Sequence, residues 1–331
     1  MAKFIRRLQR IGSSILVSLP KEWVDANKLD KGSQVEIETG PDSVSISANT
    51  ARPTRNLTIS YPLPKEENIV ADITGAYLLG YDVIGISSES TVPAKDREKI
   101  RNSMRRLVGM EIIEESASHI NMQFLLDTST LNPEKILKRM SSIALGMYDD
   151  VLRGLVSDDR SNLETISSRD VEVNRQYFLL VRLIRSALVD KRLADTFHLG
   201  NIDVLDYRVA ANLLENAGDY IVELSEYIIN SQISDANSKR LHGAAMDFGM
   251  IAEKSIDAFT KPDRLLAIEA ISLHKKFEDK LGKMRAVSGD KKQIPMGLLD
   301  MIYMFEKITR SWADVADLVK PIYNQGSGKY L

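Results

Sequence analysis

Glu215 and Asp219 lie four residues apart in the run Leu214-Glu215-Asn216-Ala217-Gly218-Asp219-Tyr220, a spacing that could do chemistry in this 331-residue chain. A four-residue step places both carboxylates on one face of a helix. Like charges there repel, so they belong in solvent or around a cation or a basic group. Carboxylate oxygens suit hard cations such as Mg²⁺, and they also take iron and manganese. The plainer alternative is a solvated acidic face. A second set is basic. Lys3, Arg6, Arg7, Arg10 and Lys21 stand within 1–21 with no acidic residue among them, while the whole chain has a formal net charge of −2. Such a cluster can neutralise phosphates, with affinity that falls as salt rises. Arginine can also reach guanine edges in the major groove, which admits a two-stranded β-ribbon. The plainer alternative is an edge strand whose cations block aggregation.

Other chemistries find no support. The chain has no cysteine, which excludes disulfides, thiolate catalysis and Cys-ligated zinc. It has no Walker-type glycine loop, no HExxH and no GxSxG. Of its four histidines, His119 and His198 read as turn or helix-end residues and His242 as part of a solvated helix face. Trp23 and Trp312 read as apolar packing positions. The expectation is a protein that is not an enzyme. No signal peptide or spanning helix is legible: the apolar stretch Ile15 to Leu19 is interrupted by Ser18 and stopped by Pro20. A cytoplasmic protein without membrane insertion is expected.

The elements that must position these residues fall into three stretches. Residues 1–50 read as β-rich. Ile15 to Leu19 is a strand candidate ended by Pro20, which also suits the first turn of a short helix from Lys21 to Ala26. Val35, Ile37, Val44 and Ile46 alternate with polar residues on either side of Gly40-Pro41-Asp42-Ser43, a hairpin pattern. Residues 48–55 are a polar linker. Residues 56–127 read as a small α/β unit. It has strands at Leu57 to Tyr61 and Val83 to Ile86, helices at Asn68 to Leu79 and Ala94 to Val108, and a final hairpin around Ala117-Ser118. From 132 to 323 the period is helical. Ile136, Met140, Ile143, Met147, Val151 and Leu155 form one apolar face, opened by Asn132-Pro133-Glu134. Further helical patterns run at 160–195, 203–231, 235–259, 262–287 and 295–323, and six long helices with short links suggest antiparallel bundles. The halves 132–231 and 235–323 align as a repeat: Leu214 on Phe305, Glu215 on Glu306, Leu224 on Val315 and Ile228 on Val319, with Val173 on Phe277, Tyr177 on Leu281 and Leu180 on Met284.

Arg10-Ile11-Gly12, then Ile15 through Pro20-Lys21-Glu22-Trp23, then Leu29, Gly32 and Val35-Glu36-Ile37 resemble the SpoVT/AbrB family of swapped-hairpin DNA-binding domains over about 1–48. The resemblance implies an intertwined homodimer with Lys3, Arg6, Arg7, Arg10 and Lys21 as DNA contacts. Related modules also serve only as dimerisers. Glu215-x-x-Gly218-Asp219 on an apolar helix, and Arg169-Asp170-Val171-Glu172-Val173-Asn174 before it, resemble PhoU-type phosphate-uptake regulators over 132–323. That family implies two three-helix bundles. The order of the parts looks like archaeal phosphate-uptake regulators. The implied fold is mainly α with a β N-terminal module: a swapped-hairpin domain at 1–50, an α/β insert at 56–127 and a PhoU-like domain at 132–323.

The family also implies metal held by helical carboxylates, a divalent ion or iron. Asp170, Asn174, Glu215 and Asp219 match in the first half, with Asn174 where a carboxylate is usual. His274, Glu278, Glu306 and Arg310 match in the second, where His274 and Glu278 could still ligate; Arg310 can pair with Glu306 one turn away, so this second metal site is expected to be lost or reduced to an ion pair. The implied function is a DNA-binding transcriptional regulator of phosphate homeostasis. The alternative is an adaptor that contacts a phosphate transporter or sensor kinase and uses its N-terminal module only to dimerise.

Overall fold

The computed structural model describes residues 4–40, 43–48, 54–65, 67–157, 160–231, 234–289 and 296–319. The chain divides into two compact units, Met1–Thr54 and Arg55–Leu331.

The first unit is two hairpins around one helical turn. Strands β1 (Gln9–Ile11) and β2 (Ser14–Leu16) pair antiparallel with Arg10 opposite Ile15. Gly12 turns the chain between them at φ +63°, a conformation that costs glycine nothing. The strand expected to reach Leu19 stops at Leu16, because β1 offers partners only from Gln9 onward. Helix α1 (Lys21–Ala26) follows Pro20, whose carbonyl accepts from the N–H groups of Trp23 and Val24. Strands β3 (Val35–Thr39) and β4 (Val44–Ala48) form the predicted hairpin with Ile37 opposite Ile46. No described residue of this unit is buried. Ile5 is 93%, Ile15 67% and Ile37 59% exposed.

The second unit opens with a four-stranded sheet. Its strands are β5 (Asn56–Tyr61), β6 (Val83–Ser88), β7 (Met110–Glu115) and β8 (His119–Phe124), in the order β5-β6-β8-β7. Helix α2 (Ile69–Leu78), capped by the Asn68 side chain, carries the crossover between the parallel pair β5 and β6. Helix α3 (Ala94–Met104) ends one turn before the expected Val108. The N–H groups of Arg106 and Leu107 donate three residues back, and Gly109 turns the chain into β7 at φ +79°.

The helices follow: α4 (Pro133–Val156), α5 (Ser161–Glu164), α6 (Ile166–Val189), α7 (Lys191–Thr196), α8 (Asn201–Asn230), α9 (Asp235–Ala245), α10 (Phe248–Thr260), α11 (Arg264–Gly289) and α12 (Met296–Asp317). Two predicted helices are broken. The 160–195 pattern is interrupted at Thr165 and again at Asp190, whose extended backbone and side chain cap α7. The 235–259 pattern breaks at Met246-Asp247. The repeat alignment pairs buried with buried: Leu214 with Phe305, Leu224 with Val315, Val173 with Phe277 and Leu180 with Met284. The two halves share one core. Tyr148 of α4 donates to the Ala245 carbonyl at 3.1 Å, and Trp312 Nε1 of α12 donates to Ser141 Oγ of α4 at 2.8 Å. That core is continuous with the residues under the sheet, including Ile73, Tyr77, Ile84 and Met122. No described helix is long and apolar enough to cross a membrane.

Candidate functional site

Helices α6 and α8 pack side by side and bring Asp170, Asn174, Glu215 and Asp219 to one face. Asp170 is 9% exposed. Its Oδ2 accepts a 2.7 Å hydrogen bond from Asn174 Nδ2, while its buried Oδ1 has no hydrogen-bond partner. Opposite it on α8 is Gly218, where an added Cβ would lie 2.6 Å from that Oδ1. The glycine lets the carboxylate approach the neighbouring helix. Glu215 is half-buried and Asp219 exposed. Burial pushes the Asp170 carboxyl up to about 6, helped by the Asp219 charge and opposed by the Asn174 hydrogen bond. Burial also raises Glu215, with Asp219 and Asp170 adding to the effect and Arg208 opposing it. Asp219 is raised by burial. Three acids therefore share a face that disfavours their charged forms.

Carboxylate oxygens and an orphaned buried Oδ1 are the donor chemistry a hard cation would use. The geometry is looser: among the described residues no three His, Asp or Glu side chains converge closely enough to hold one ion.

The second-half set is arranged differently. Glu278 accepts from Arg310 Nη2 at 2.5 Å, and both oxygens of Glu306 lie 2.7 Å from Arg285 Nη2. The expected Arg310–Glu306 pair is thus replaced. Arg285 of α11 takes Glu306, and Arg310 reaches across to α11. His274 is buried, with Nε2 3.5 Å from Thr309 Oγ1 and Nδ1 3.9 Å from Glu278 Oε2. Burial holds its pKa below the usual imidazole value, against the pull of Glu278. The repeat offsets place His274 on Asp170 and Thr309 on Gly218. A buried polar side chain thus faces the third helix in both halves, as a carboxylate with one oxygen unpaired in one and a hydrogen-bonded imidazole in the other. Thr309 and Arg285 were not singled out in the sequence, although the offset that aligns Asp219 with Arg310 also aligns Gly218 with Thr309.

In the N-terminal unit Arg6, Arg7, Arg10 and Lys21 are exposed, and none has a carboxylate partner among the described residues. Lys3 lies outside the described residues. Arg10 Nε donates to the carbonyl of Gly12 at 3.3 Å, and Arg6 lies over the Phe4 ring at 5.5 Å. These local contacts leave the charges facing solvent.

Residues 8–47 match the family model described as antidote-toxin recognition MazE, bacterial antitoxin. Residues 137–228, from α4 to the end of α8, match the PhoU domain model. No curated protein matches the chain. Among solved structures, PhoU from Pseudomonas aeruginosa is similar at 14% identity and a TM-score of 0.47, covering 56% of this chain and 93% of that one. The phosphate transport system regulatory protein PhoU from Streptococcus pneumoniae is similar at 16% identity and a TM-score of 0.44, covering 56% and 91%. The chain carries a MazE/AbrB-like domain at its N-terminus and a PhoU domain in the first half of its helices.

Proposed function

We propose that this protein is a cytoplasmic, homodimeric, DNA-binding regulator of phosphate homeostasis, with no catalytic role. In this reading the helical part responds to phosphate status through a cation, phosphate or a partner protein. The observation that carries the DNA-binding part is the set Arg6, Arg7, Arg10 and Lys21, exposed and without carboxylate partners among the described residues, on a MazE/AbrB-like module. Arg10 lies on β1, Arg6 and Arg7 in the segment just before it and Lys21 at the start of α1, and exposed cations without carboxylate partners among the described residues can contact phosphates. The regulatory part is supported by the PhoU domain and by the acid face within it. A divalent ion or iron bound by Asp170, Glu215 and Asp219 would supply the positive charge that these carboxylates lack; as they stand they do not converge on one ion, so binding would have to draw them together. The second-half carboxylates Glu278 and Glu306 are already neutralised by arginines and are not assigned a metal.

The test is a titration of the full chain and of its R6Q/R7Q/R10Q variant against genomic DNA fragments of the source organism at several salt concentrations. A few fragments should be retained selectively. Each lost phosphate contact should flatten the log–log salt slope by about 0.9. Three per subunit, doubled in a dimer, give a change of up to about 5. No selective retention by the full chain would sink the DNA-binding reading. The adaptor reading would then apply, with the N-terminal module as a dimeriser only.

A further inference from the structure

We infer that Arg182 is the residue through which the α6–α8 acid face acts on the segment leading to the N-terminal hairpins; this rests on the regulatory reading above. Leu179, Leu180, Val181, Arg182, Leu183 and Ile184 are buried in succession, because α4 and α8 cover one side of α6 and α2 covers another. One of the six is an arginine. Its Nη1 donates to the carbonyls of Tyr77 at 2.8 Å and Tyr81 at 2.9 Å, and its Nη2 lies 3.5 Å from Asp82 Oδ1. The guanidinium sits over the rings of Phe124 at 3.9 Å and Tyr77 at 5.0 Å. Burying a charge is costly, and an apolar side chain would fill the space with less penalty. What the planar fork adds is a fixed grip on the turn 79–82 between α2 and β6.

The same turn holds Arg55, the first residue of the second unit. The Arg55 N–H donates to Asp82 Oδ2 at 2.8 Å, and its Nη1 donates to the Leu79 carbonyl at 2.7 Å. Its guanidinium lies over the Tyr81 ring at 4.8 Å. The N–H groups of Asp82 and Val83 donate back to the Arg55 carbonyl at 2.8 and 3.2 Å. Asp82 thus contacts Arg55 through one oxygen and Arg182 through the other. Arg182 is on the helix that carries Asp170 and Asn174, twelve residues on, about 18 Å along an unbroken rod.

Coupling between sites requires an element whose arrangement both sites bias. Here α6 meets α8 where the buried Asp170 Oδ1 sits against Gly218, with Glu215 and Asp219 on the same face, so a group that binds at this contact bears on how the two helices pack. A shift of α6 carries Arg182, and with it the turn that anchors Arg55.

The test is a cycle of four full-length proteins: the unaltered chain, D170N, R182M and D170N/R182M. Methionine keeps most of the volume of Arg182 and removes its charge and its hydrogen bonds. R182Q, which keeps a polar head but loses the charged fork, replaces R182M if that variant fails to fold. Hydrogen exchange of residues 55–61 and 79–83 is read by mass spectrometry. D170N should change exchange there by about threefold or more with Arg182 present and leave it unchanged in R182M, whatever R182M does alone. No D170N effect with Arg182 present, or the same effect in R182M, overturns the proposal. The same four proteins are then titrated with DNA. An affinity change caused by D170N that vanishes in R182M extends the relay to the hairpins. Absence of DNA binding by all four, with the exchange result intact, defeats the DNA-binding reading and leaves the relay within the second unit.

Discussion

Asp170 is the residue whose surroundings most constrain what the helical part can do. Its carboxyl is buried, bonded through one oxygen only, and pushed up to about 6. The sign of its effect on stability follows from proton linkage. In the folded chain the group holds its proton to higher pH than in the unfolded chain. Its favourable contribution is therefore complete below the ordinary value near 3.8 and is lost as pH rises through about 6. In chelator-treated protein, D170N should remove that dependence. It should raise stability at pH 7.5 by about 1–2 kcal/mol, after allowing for solvent screening of a partly hydrated face. Urea unfolding at pH 4, 5.5 and 7.5 measures it: the two proteins should differ most at pH 7.5 and converge toward pH 4. A difference independent of pH would mean that Asp170 is not ionised against a penalty. A cation would reverse the logic. If Mn²⁺ or Mg²⁺ binds here, it should raise the melting temperature of the unaltered chain and not that of D170N/D219N.

The element that makes the acid face possible is the contact of α6 with α8 at Gly218. Glycine inside a helix costs about 1 kcal/mol relative to alanine, so G218A should stabilise α8 if nothing opposed it. A Cβ there meets Asp170 Oδ1 at 2.6 Å and Val173 Cγ1 at 3.6 Å. G218A should therefore destabilise the chain by about 1–2 kcal/mol through overpacking. In a D170A background the obstruction is gone, and the same substitution should be neutral or stabilising by up to about 1 kcal/mol. Denaturant unfolding of the four proteins reads this change of sign. If G218A is equally harmful in both backgrounds, the close approach is not what the glycine provides.

Elements carried by local chemistry were legible in the sequence. Pro20 before α1, Asn68 as the start of α2, Asn132 as the cap of α4, and the alternation of Val35, Ile37, Val44 and Ile46 gave boundaries that agree with the structure to within a residue or two. The breaks at Thr165, Asp190 and Met246 were not legible, because the apolar period runs through them. The repeat offset identified which positions of the acid face correspond, but not the partners of Arg310 and Glu306, since each pair spans two helices and periodicity describes only one. Arg182 was invisible for a related reason. A lone arginine in an apolar run reads as a solvent position until α2 is seen to cover that side of α6.

At the scale of the whole molecule, the first unit has a physical deficit. Its two hairpins and single helical turn leave Ile5, Leu8, Ile11, Ile15, Ile37 and Val44 exposed, and no described residue there is buried. A 40-residue module cannot offset its chain entropy without a core, and this one has no cysteine for a disulfide staple. A second copy can supply the missing surface: the exposed aliphatics of both modules would close on one another, and the cations of both would lie on one assembly. Self-association and DNA contact should then fail together when the apolar surface is broken. The unaltered chain should sediment as a dimer at micromolar concentration. I15D/I37D should shift it toward monomer and lose selective DNA retention, while the helical part keeps its circular dichroism. R6Q/R7Q/R10Q should lose DNA and remain a dimer. A monomeric unaltered chain that still selects DNA fragments would show that the module folds alone, and the exposed aliphatics would then need a different partner.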